Sequence, residues 1–128
     1  MEIIDIENIL LFHKKIVSKT GGSDGVRDLG LIESALNRGF MTFDGRDLYE
    51  STEMKISVIS HGLISNHGFI DGNKRIGIAV MILLLKLNSI EIRYSQQELI
   101  DLGLRVAEGR LNENDILEWI KGINNKVS

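Results

Sequence analysis

The densest group of reactive side chains in this sequence is HGFIDGNKR, residues 67–75, which leads directly into the apolar run IGIAVMILLL, residues 76–85. Polar groups beside a core are costly unless they have partners, so these side chains either cap a helix or hold a ligand. Asp71-Gly72 alone would indicate a hairpin turn. The long flanking segments have helical spacing, however, and favour a loop that turns into the N-terminus of a buried helix.

A helix N-terminus of this kind is a natural anion site, because its first N–H groups point outward without partners. Gly72 has no β-carbon, so a bulky anion can approach the backbone there. Asn73, Lys74 and Arg75 then occupy the first turn. Two cations oppose the helix dipole at this end unless an anion lies beside them. A phosphate chain would supply that anion, with Lys74 as a point charge and Arg75 as a fork.

Two further residues complete a possible reaction centre. A lone carboxylate beside phosphates, here Asp71, is the usual protein share of a Mg²⁺ site. His67 follows the preceding predicted helix, and an imidazole suits a general base that accepts the proton of a hydroxyl nucleophile. Phe69 lies between them and is expected to anchor the loop to the core. Each residue alone has a commoner structural explanation, and the combination at this spacing predicts phosphate chemistry.

The rest of the sequence predicts helices that position this loop. Proline is absent, and most apolar residues have helical spacing. Gly21 ends the first helix, and Asp28 caps a short second helix over residues 29–38. Asp47 and Glu50 have capping-box spacing and open a third helix that ends near residue 66.

The fourth helix begins around Gly72 or Asn73 and runs to about Asn88, and its nearly continuous apolar surface predicts burial on all sides. The fifth and sixth helices, in 96–109 and 113–124, each open with a capping-box pair. These pairs are Ser95 with Glu98 and Asn112 with Asp115. IEIRY, residues 90–94, is the only predicted strand. The prediction is an all-α fold, a compact bundle of about six helices around a buried central helix.

Composition limits the classes of protein to consider. The 128 residues predict a single domain over 1–128. The net charge of −3, with both signs mixed along the chain, gives no reason to expect duplex nucleic acid as a partner. The absence of cysteine excludes disulfides and thiolate metal sites. The longest apolar run is too short to span a membrane, and the acidic start is unlike a signal peptide, so a cytoplasmic protein is expected.

The motif HGFIDGNKR resembles the pattern H-x-F-x-[DN]-[AG]-N-K-R of the Doc branch of the Fic/Doc family, and every fixed position is met. Segments 21–36, 48–51 and 105–120 also look like Doc segments, in the same order. Lys74 and Ile78 stand where Fic proteins proper carry Gly and a second Arg. Both differences favour Doc over Fic.

The resemblance implies an ATP-dependent enzyme with the Fic/Doc fold. By position, His67 resembles the catalytic base, Asp71 the Mg²⁺ ligand, Gly72 and Asn73 the anion-binding turn, and Lys74 and Arg75 the phosphate-binding pair. Fic enzymes typically transfer AMP to a protein hydroxyl. Doc toxins instead transfer the γ-phosphate of ATP to translation elongation factor Tu and halt protein synthesis.

Regulation by a partner is also implied. The self-inhibition motif [ST]-x-x-x-E-[GN] of some Fic proteins is not matched, so a separate Phd-like antitoxin is expected to bind a groove on this protein. Two other functions stay open from the sequence. One is Fic-like transfer of AMP or another nucleotide, and the other is a catalytically weak binding module of a toxin–antitoxin pair.

Several residues outside the core of the motif receive simpler interpretations. Gly68, where relatives often have Pro, is expected to loosen the loop. Arg27 is a candidate for the rim of the site, and residues 39–47 resemble the flap that docks target peptide, although a surface turn explains them equally well. His13 and His61 are interpreted as ordinary helix residues.

Overall fold

The computed structural model describes residues 1–125, in which six helices surround one core, as predicted. The helices are α1 Ile6–Thr20, α2 Leu29–Arg38, α3 Thr52–Ser65, α4 Asn73–Leu87, α5 Gln96–Ala107 and α6 Glu113–Asn125. Two short strands, β1 Thr42–Phe43 and β2 Arg46–Asp47, form an antiparallel hairpin between α2 and α3. The all-α prediction is confirmed.

Helices α3 and α4 form the centre of the bundle. α3 packs against α2, α4, α5 and α6, and residues 55–60 of α3 are all buried. α4 is less enclosed than the sequence predicts, because Ile78 and Ile82 face an open groove between α1 and α5 and Leu87 is 44% exposed. The helix surrounded by the others is therefore α3, and α4 has one partly uncovered side.

Side-chain caps define most helix starts, as predicted for α2, α5 and α6. Asp28 accepts from the N–H of Leu31, and Ser95 and Glu98 form a reciprocal capping box. The predicted start of the third helix is wrong. Ser51 caps α3, whereas Asp47 belongs to β2 and pairs through Oδ2 with Lys55 Nζ at 3.2 Å. The hairpin takes up the residues ahead of Ser51, whose hydroxyl is an equally good cap.

The predicted strand over residues 90–94 is also wrong, since residues 90–95 have no regular secondary structure. Ile90 and Ile92 alternate with polar residues because their side chains pack against the core. The alternation of apolar and polar residues therefore indicates burial of one side of the segment. No strand within residues 1–125 pairs with it. The two strands that do form flank the Asp44-Gly45 turn.

The closest approach of α3 and α4 yields a stability prediction. A β-carbon at Gly77 of α4 would lie 2.4 Å from Ile64 Cγ1 of α3. Gly77→Ala should therefore lower the free energy of unfolding by about 1–3 kcal/mol, because the extra methyl group overpacks the contact. Urea denaturation measures this change.

Gly122→Ala is the matched control, since apart from the neighbouring backbone of α6 no described heavy atom lies within 4 Å of a β-carbon at Gly122. That variant should keep or raise the free energy of unfolding, by up to about 1 kcal/mol, because alanine is the better helix former. Equal destabilisation by both substitutions would contradict the close-packing explanation.

Candidate functional site

The motif loop, defined here as residues 66–72 between α3 and α4, is held by a second segment from elsewhere in the chain. This segment, residues 21–28, is called the strap. The N–H groups of Arg27 and Asp28 donate to the Gly68 carbonyl at 2.8 and 2.9 Å, and the Ile70 N–H donates to the Gly25 carbonyl at 3.1 Å. An isolated antiparallel bridge joins residues 26 and 69. The strap is thus a partner of the loop, which the sequence analysis missed.

His67 lies just beyond the end of α3, with an exposed side chain and a positive φ of 53°. This backbone conformation is unusual for a residue with a β-carbon. Arg27 stabilises it, because Arg27 Nε donates to the His67 carbonyl at 2.6 Å and Nη2 donates to the Asn66 carbonyl at 3.3 Å. The strap thereby fixes the backbone of His67 and leaves the imidazole exposed. Arg27 thus lies beside His67, and its place at the rim of a ligand site stays a prediction.

Gly68 does not loosen the loop as the sequence suggested. It is buried, and its carbonyl accepts the hydrogen bonds from the N–H groups of Arg27 and Asp28. A β-carbon at this position would lie 2.4 Å from Ile32 Cγ1 of α2. The glycine therefore allows α2 to approach the loop closely, and that contact restricts the loop.

Phe69 and Asn73 anchor the loop to the bundle. Phe69 is 2% exposed, as expected for a core anchor. The Asn73 carboxamide bonds to both backbone groups of Phe69, accepting from its N–H and donating to its carbonyl at 3.0 Å each. Asn73 stays a predicted nucleotide-binding residue, but its side chain is engaged with the loop. Its contribution to an anion would come from its backbone N–H.

Gly72 forms the turn into α4. Its φ of 78° and ψ of 15° are left-handed, and a β-carbon would lie 3.1 Å from Val17 Cγ1. Glycine therefore meets both the conformational and the steric requirement. Among residues 1–125, no side chain caps the first turn of α4. The start of α4 accordingly has the open N–H groups and partial positive charge that suit an anion.

Asp71 presents a half-exposed carboxylate beside this turn, with 49% of the side chain exposed. Its Oδ1 accepts from the Gly72 N–H at 2.8 Å, and its Oδ2 accepts from the Ser23 N–H of the strap at 3.3 Å. These two hydrogen bonds, the Gly72 bond first, hold the pKa of Asp71 below its usual value, and Arg75 and His13 add to the effect. The carboxylate stays ionised and keeps lone pairs free for a cation.

The two cations of the motif differ in what they contact. Arg75 Nη1 donates to the Gly21 carbonyl at 2.8 Å and to the Thr20 hydroxyl, and Nη2 lies 3.6 Å from Asp71 Oδ1. Arg75 therefore ties the end of α1 to the loop. Lys74 is exposed and forms no hydrogen bond or ion pair within the described part of the chain. Lys74 is the cation that is available to a ligand.

His13 is the second feature that the sequence analysis missed. It was interpreted as an ordinary helix residue, yet its buried ring stacks on Phe69 and its Nε2 lies 2.6 Å from the Asp71 carbonyl oxygen. The only sequence signal was its place on the apolar stripe of α1. A polar residue on such a stripe requires a buried partner.

The described residues could supply only part of the ligands of a divalent cation. Within residues 1–125, no group of three or more His, Asp or Glu side chains could hold a metal ion by itself. Asp71 would supply one carboxylate ligand, and water and phosphate oxygens would supply the others, which is the usual arrangement for Mg²⁺. None of the helices in residues 1–125 has the length and apolarity needed to cross a membrane.

An apolar groove begins beside Lys74 and Arg75 and runs between α1, α4 and α5. Its volume is about 510 Å³. Most of its lining is apolar, and the residues involved are Phe12, Ile16, Thr20, Lys74, Arg75, Ile78, Ala79, Ile82, Leu83, Lys86, Tyr94, Gln96, Leu99, Ile100 and Gly103. Three of these are cationic and none is acidic. The groove is therefore suited to an apolar ligand with negative charge at its edge.

The predicted flap corresponds to the β1–β2 hairpin. Phe43 at its tip is 76% exposed. Lys55 of α3 is buried and holds the hairpin through Asp47 and through the Tyr49 carbonyl. The hairpin therefore presents an exposed aromatic ring on a fixed base, and its docking of target peptide stays a prediction.

Known proteins place this arrangement in a family. A model of the Fic/DOC family matches residues 3–85, so the chain belongs to that family. Toxin Doc of Mycolicibacterium smegmatis is 32% identical over 93 residues, which cover 73% of this chain and 67% of that protein. Protein kinase doc of Escherichia phage P1 is 26% identical over 124 residues, which cover 94% of each chain. Both relatives belong to the Doc branch, and the predicted resemblance is confirmed.

The hydrogen bonds of Asp71 predict how acid affects stability. Because they lower the pKa of Asp71 in the folded protein, its contribution to the free energy of unfolding is present above the ordinary carboxyl pKa, about 4. The contribution is lost as the pH falls through the lower folded-state value. Asp71→Asn should therefore have a lower free energy of unfolding than the parent at neutral pH. In acid, this difference in the free energy of unfolding should become smaller.

Urea denaturation from neutral to about pH 3 in the presence of a chelator measures this gap. Asp44→Asn, at the exposed hairpin turn, controls for the removal of one carboxylate. A gap between parent and Asp71→Asn that stays constant over this pH range would contradict the assignment.

Proposed function

We propose that this protein is a Doc-type toxin, an ATP-dependent protein kinase that transfers the γ-phosphate of ATP to a hydroxyl group of a translation factor in the cytoplasm. One observation carries the proposal. Within residues 1–125, no side chain caps the start of α4, which is flanked in the sequence by the ionised carboxylate of Asp71 and by Lys74, a cation without a partner in that range. This combination suits a triphosphate with a divalent cation, and the exposed His67 belongs to the same loop.

Each residue has a role in this reaction. The backbone N–H groups at the start of α4 and the ammonium of Lys74 bind phosphate oxygens. Asp71 would hold Mg²⁺, which neutralises negative charge on the phosphates. His67 accepts the proton of the target hydroxyl, whose oxygen attacks the γ-phosphorus while the bond to the bridging oxygen breaks and ADP leaves. Arg75, with Gly72 and Asn73, shapes the turn that receives the phosphates.

Lys74 supports phosphoryl transfer over transfer of AMP. Fic proteins proper resemble this chain but have glycine at the position of Lys74, and they hold the nucleotide in the opposite direction. A lysine there adds bulk and charge to the turn. The phage P1 relative is named a protein kinase, which supports the same choice. Elongation factor Tu is the proposed target, by resemblance to Doc toxins.

Separate labelling of ATP at the γ- and α-phosphates tests the reaction. The target should acquire label from the γ position only, and His67→Ala should reduce transfer by at least about 100-fold, because the base that takes the hydroxyl proton is lost. Autoradiography of purified elongation factor Tu after incubation with the protein measures both effects. His61→Ala, on α3 outside the loop, is the matched histidine control and should keep transfer.

Other outcomes of the labelling experiment, together with a growth assay, identify the alternative functions. Label from the α position would establish nucleotidyl transfer in place of phosphoryl transfer. Growth inhibition by His67→Ala as strong as that by the parent would favour the binding-module function and contradict both enzymatic ones.

We also propose that a Phd-like antitoxin inhibits the protein by binding the groove between α1, α4 and α5. The apolar lining and cationic edge suit the apolar face of a helix with acidic residues beside it. A helix in this groove would reach Lys74 and Arg75 at the entrance. Occupation of the groove would therefore compete with binding of phosphates.

Two substitutions on α5 test this groove. Ile100 lines it and is 51% exposed, whereas Leu104 is 42% exposed and is not part of the lining. Ile100→Glu should weaken antitoxin binding by about tenfold or more, because it replaces an apolar contact with a charge that the bound helix would remove from water. Leu104→Glu should leave binding unchanged. Calorimetric titration with the antitoxin measures the difference, and equal affinities of both variants would show that the antitoxin binds elsewhere.

A further inference from the structure

A buried imidazole outside the motif lies beneath the loop that carries Asp71. His13 belongs to α1, and its side chain is 1% exposed. The ring stacks on Phe69, with 3.8 Å between centroids and 15° between planes. Nε2 lies 2.6 Å from the backbone oxygen of Asp71. Because a carbonyl oxygen can only accept, Nε2 carries the proton and donates the hydrogen bond.

This hydrogen bond determines the orientation of the Asp71–Gly72 peptide. In a trans peptide the C=O and N–H groups point in opposite directions. The Asp71 C=O points inward to His13, so the Gly72 N–H points outward, where it donates to Asp71 Oδ1 at 2.8 Å. The inward bond and the outward bond therefore depend on one peptide orientation.

The surroundings give this peptide little freedom. A β-carbon at Gly72 would lie 3.3 Å from His13 Nε2 and 3.1 Å from Val17 Cγ1, so α1 lies directly against the turn. The other edge of the imidazole faces the strap, with Nδ1 4.0 Å from Asp24 Oδ1. A rotated peptide would leave the buried Nε2–H without an acceptor, which is unfavourable.

We propose that His13 is a positioning residue for the phosphate site. Its Nε2–H fixes the Asp71–Gly72 peptide and thereby holds the Asp71 carboxylate in the orientation that binds a divalent cation. The role of the cation rests on the proposed function. The control of the peptide by His13 does not depend on it.

A purely structural role is the competing explanation, because the ring also packs on Phe69. Two substitutions separate packing from hydrogen bonding. His13→Phe keeps an aromatic ring for the stack and removes the donor, whereas His13→Gln removes the ring and keeps an N–H donor. Ile9→Val, a buried position on the same helix whose side chain cannot form a hydrogen bond, controls for general destabilisation of α1.

The experiment combines Mg²⁺-ATP binding, kinetics and NMR on the full chain. His13→Phe should reduce Mg²⁺-ATP affinity or kcat by about 10- to 100-fold, the usual effect of losing a group that orients a metal ligand. His13→Gln should restore most of this loss. The Gly72 amide resonance should shift in His13→Phe and stay near the parental position in His13→Gln and Ile9→Val.

Several results would overturn the proposal. One is that His13→Phe keeps the parental Mg²⁺-ATP affinity and kcat. Another is that the Gly72 resonance does not shift in that variant. A third is that the loss of affinity or kcat in both His13→Phe and Ile9→Val equals the fraction of each variant that is unfolded. If His13→Phe does not fold, a measurement on the parent protein tests the proposal instead. Its His13 Nε2 proton must show coupling across the hydrogen bond to the Asp71 carbonyl carbon, and absence of that coupling also overturns the proposal.

Failure of the proposed function gives a different result. If the parent transfers no phosphate to any target, the kinase assignment fails, while the Gly72 resonance and the binding of Mg²⁺-ATP still test His13. If the parent transfers phosphate and His13→Phe is unimpaired, only the role of His13 is refuted.

Discussion

The site depends on how closely α1 packs against the backbone at the start of α4. At Gly72 the side chains of Val17 and His13 occupy the space beside a missing β-carbon. This contact positions the turn from which the N–H groups of α4 point outward and keeps the Asp71 carbonyl against a buried donor. The motif loop is therefore shaped by a helix that lies some 55 residues earlier in the sequence, as the pairing of Thr20 with Arg75 also illustrates.

The polar side chains of the motif differ in whether they form bonds within the protein. Asn73 and Arg75 are fixed positions of the motif. The Asn73 side chain nevertheless bonds to Phe69, and the Arg75 side chain bonds to the end of α1. Lys74 remains without a partner in the described chain, and Asp71 remains half exposed. Dense charge in a sequence motif thus need not mean that every charge meets the ligand. Part of it maintains the shape of the loop.

Local signals made much of the fold predictable from the sequence. Capping residues can be recognised from the few residues that follow them, as at Asp28, Ser95 and Asn112. Phe69 can be recognised as a core anchor because it is apolar in a polar loop. The predicted start of α3 is wrong because the pair Asp47 and Glu50 has capping-box spacing and Ser51, just after it, is an equally good cap. The segment 90–94 was misassigned because alternation arises from packing on one side as well as from a sheet.

Contacts between distant segments were not predictable in the same way. Nothing near His13 in sequence indicates that it will meet Asp71, and nothing near Gly68 indicates that α2 will lie against it. The pairing of the strap with the loop also has no local pattern, because its hydrogen bonds join main-chain groups that any residue but proline possesses. The family motif predicts which residues are reactive but does not indicate the groups that support them.

The main-chain character of this pairing bears on how the gene can diverge. The donors at positions 27, 28 and 70 and the acceptors at 25 and 68 are backbone groups, so most changes of side chain at exposed positions such as Val26 and Ile70 leave these bonds in place. Proline is the exception, since it removes the N–H. The main-chain pairing of strap and loop can thus persist through extensive sequence change, with proline as the change that selection must reject at each donor position.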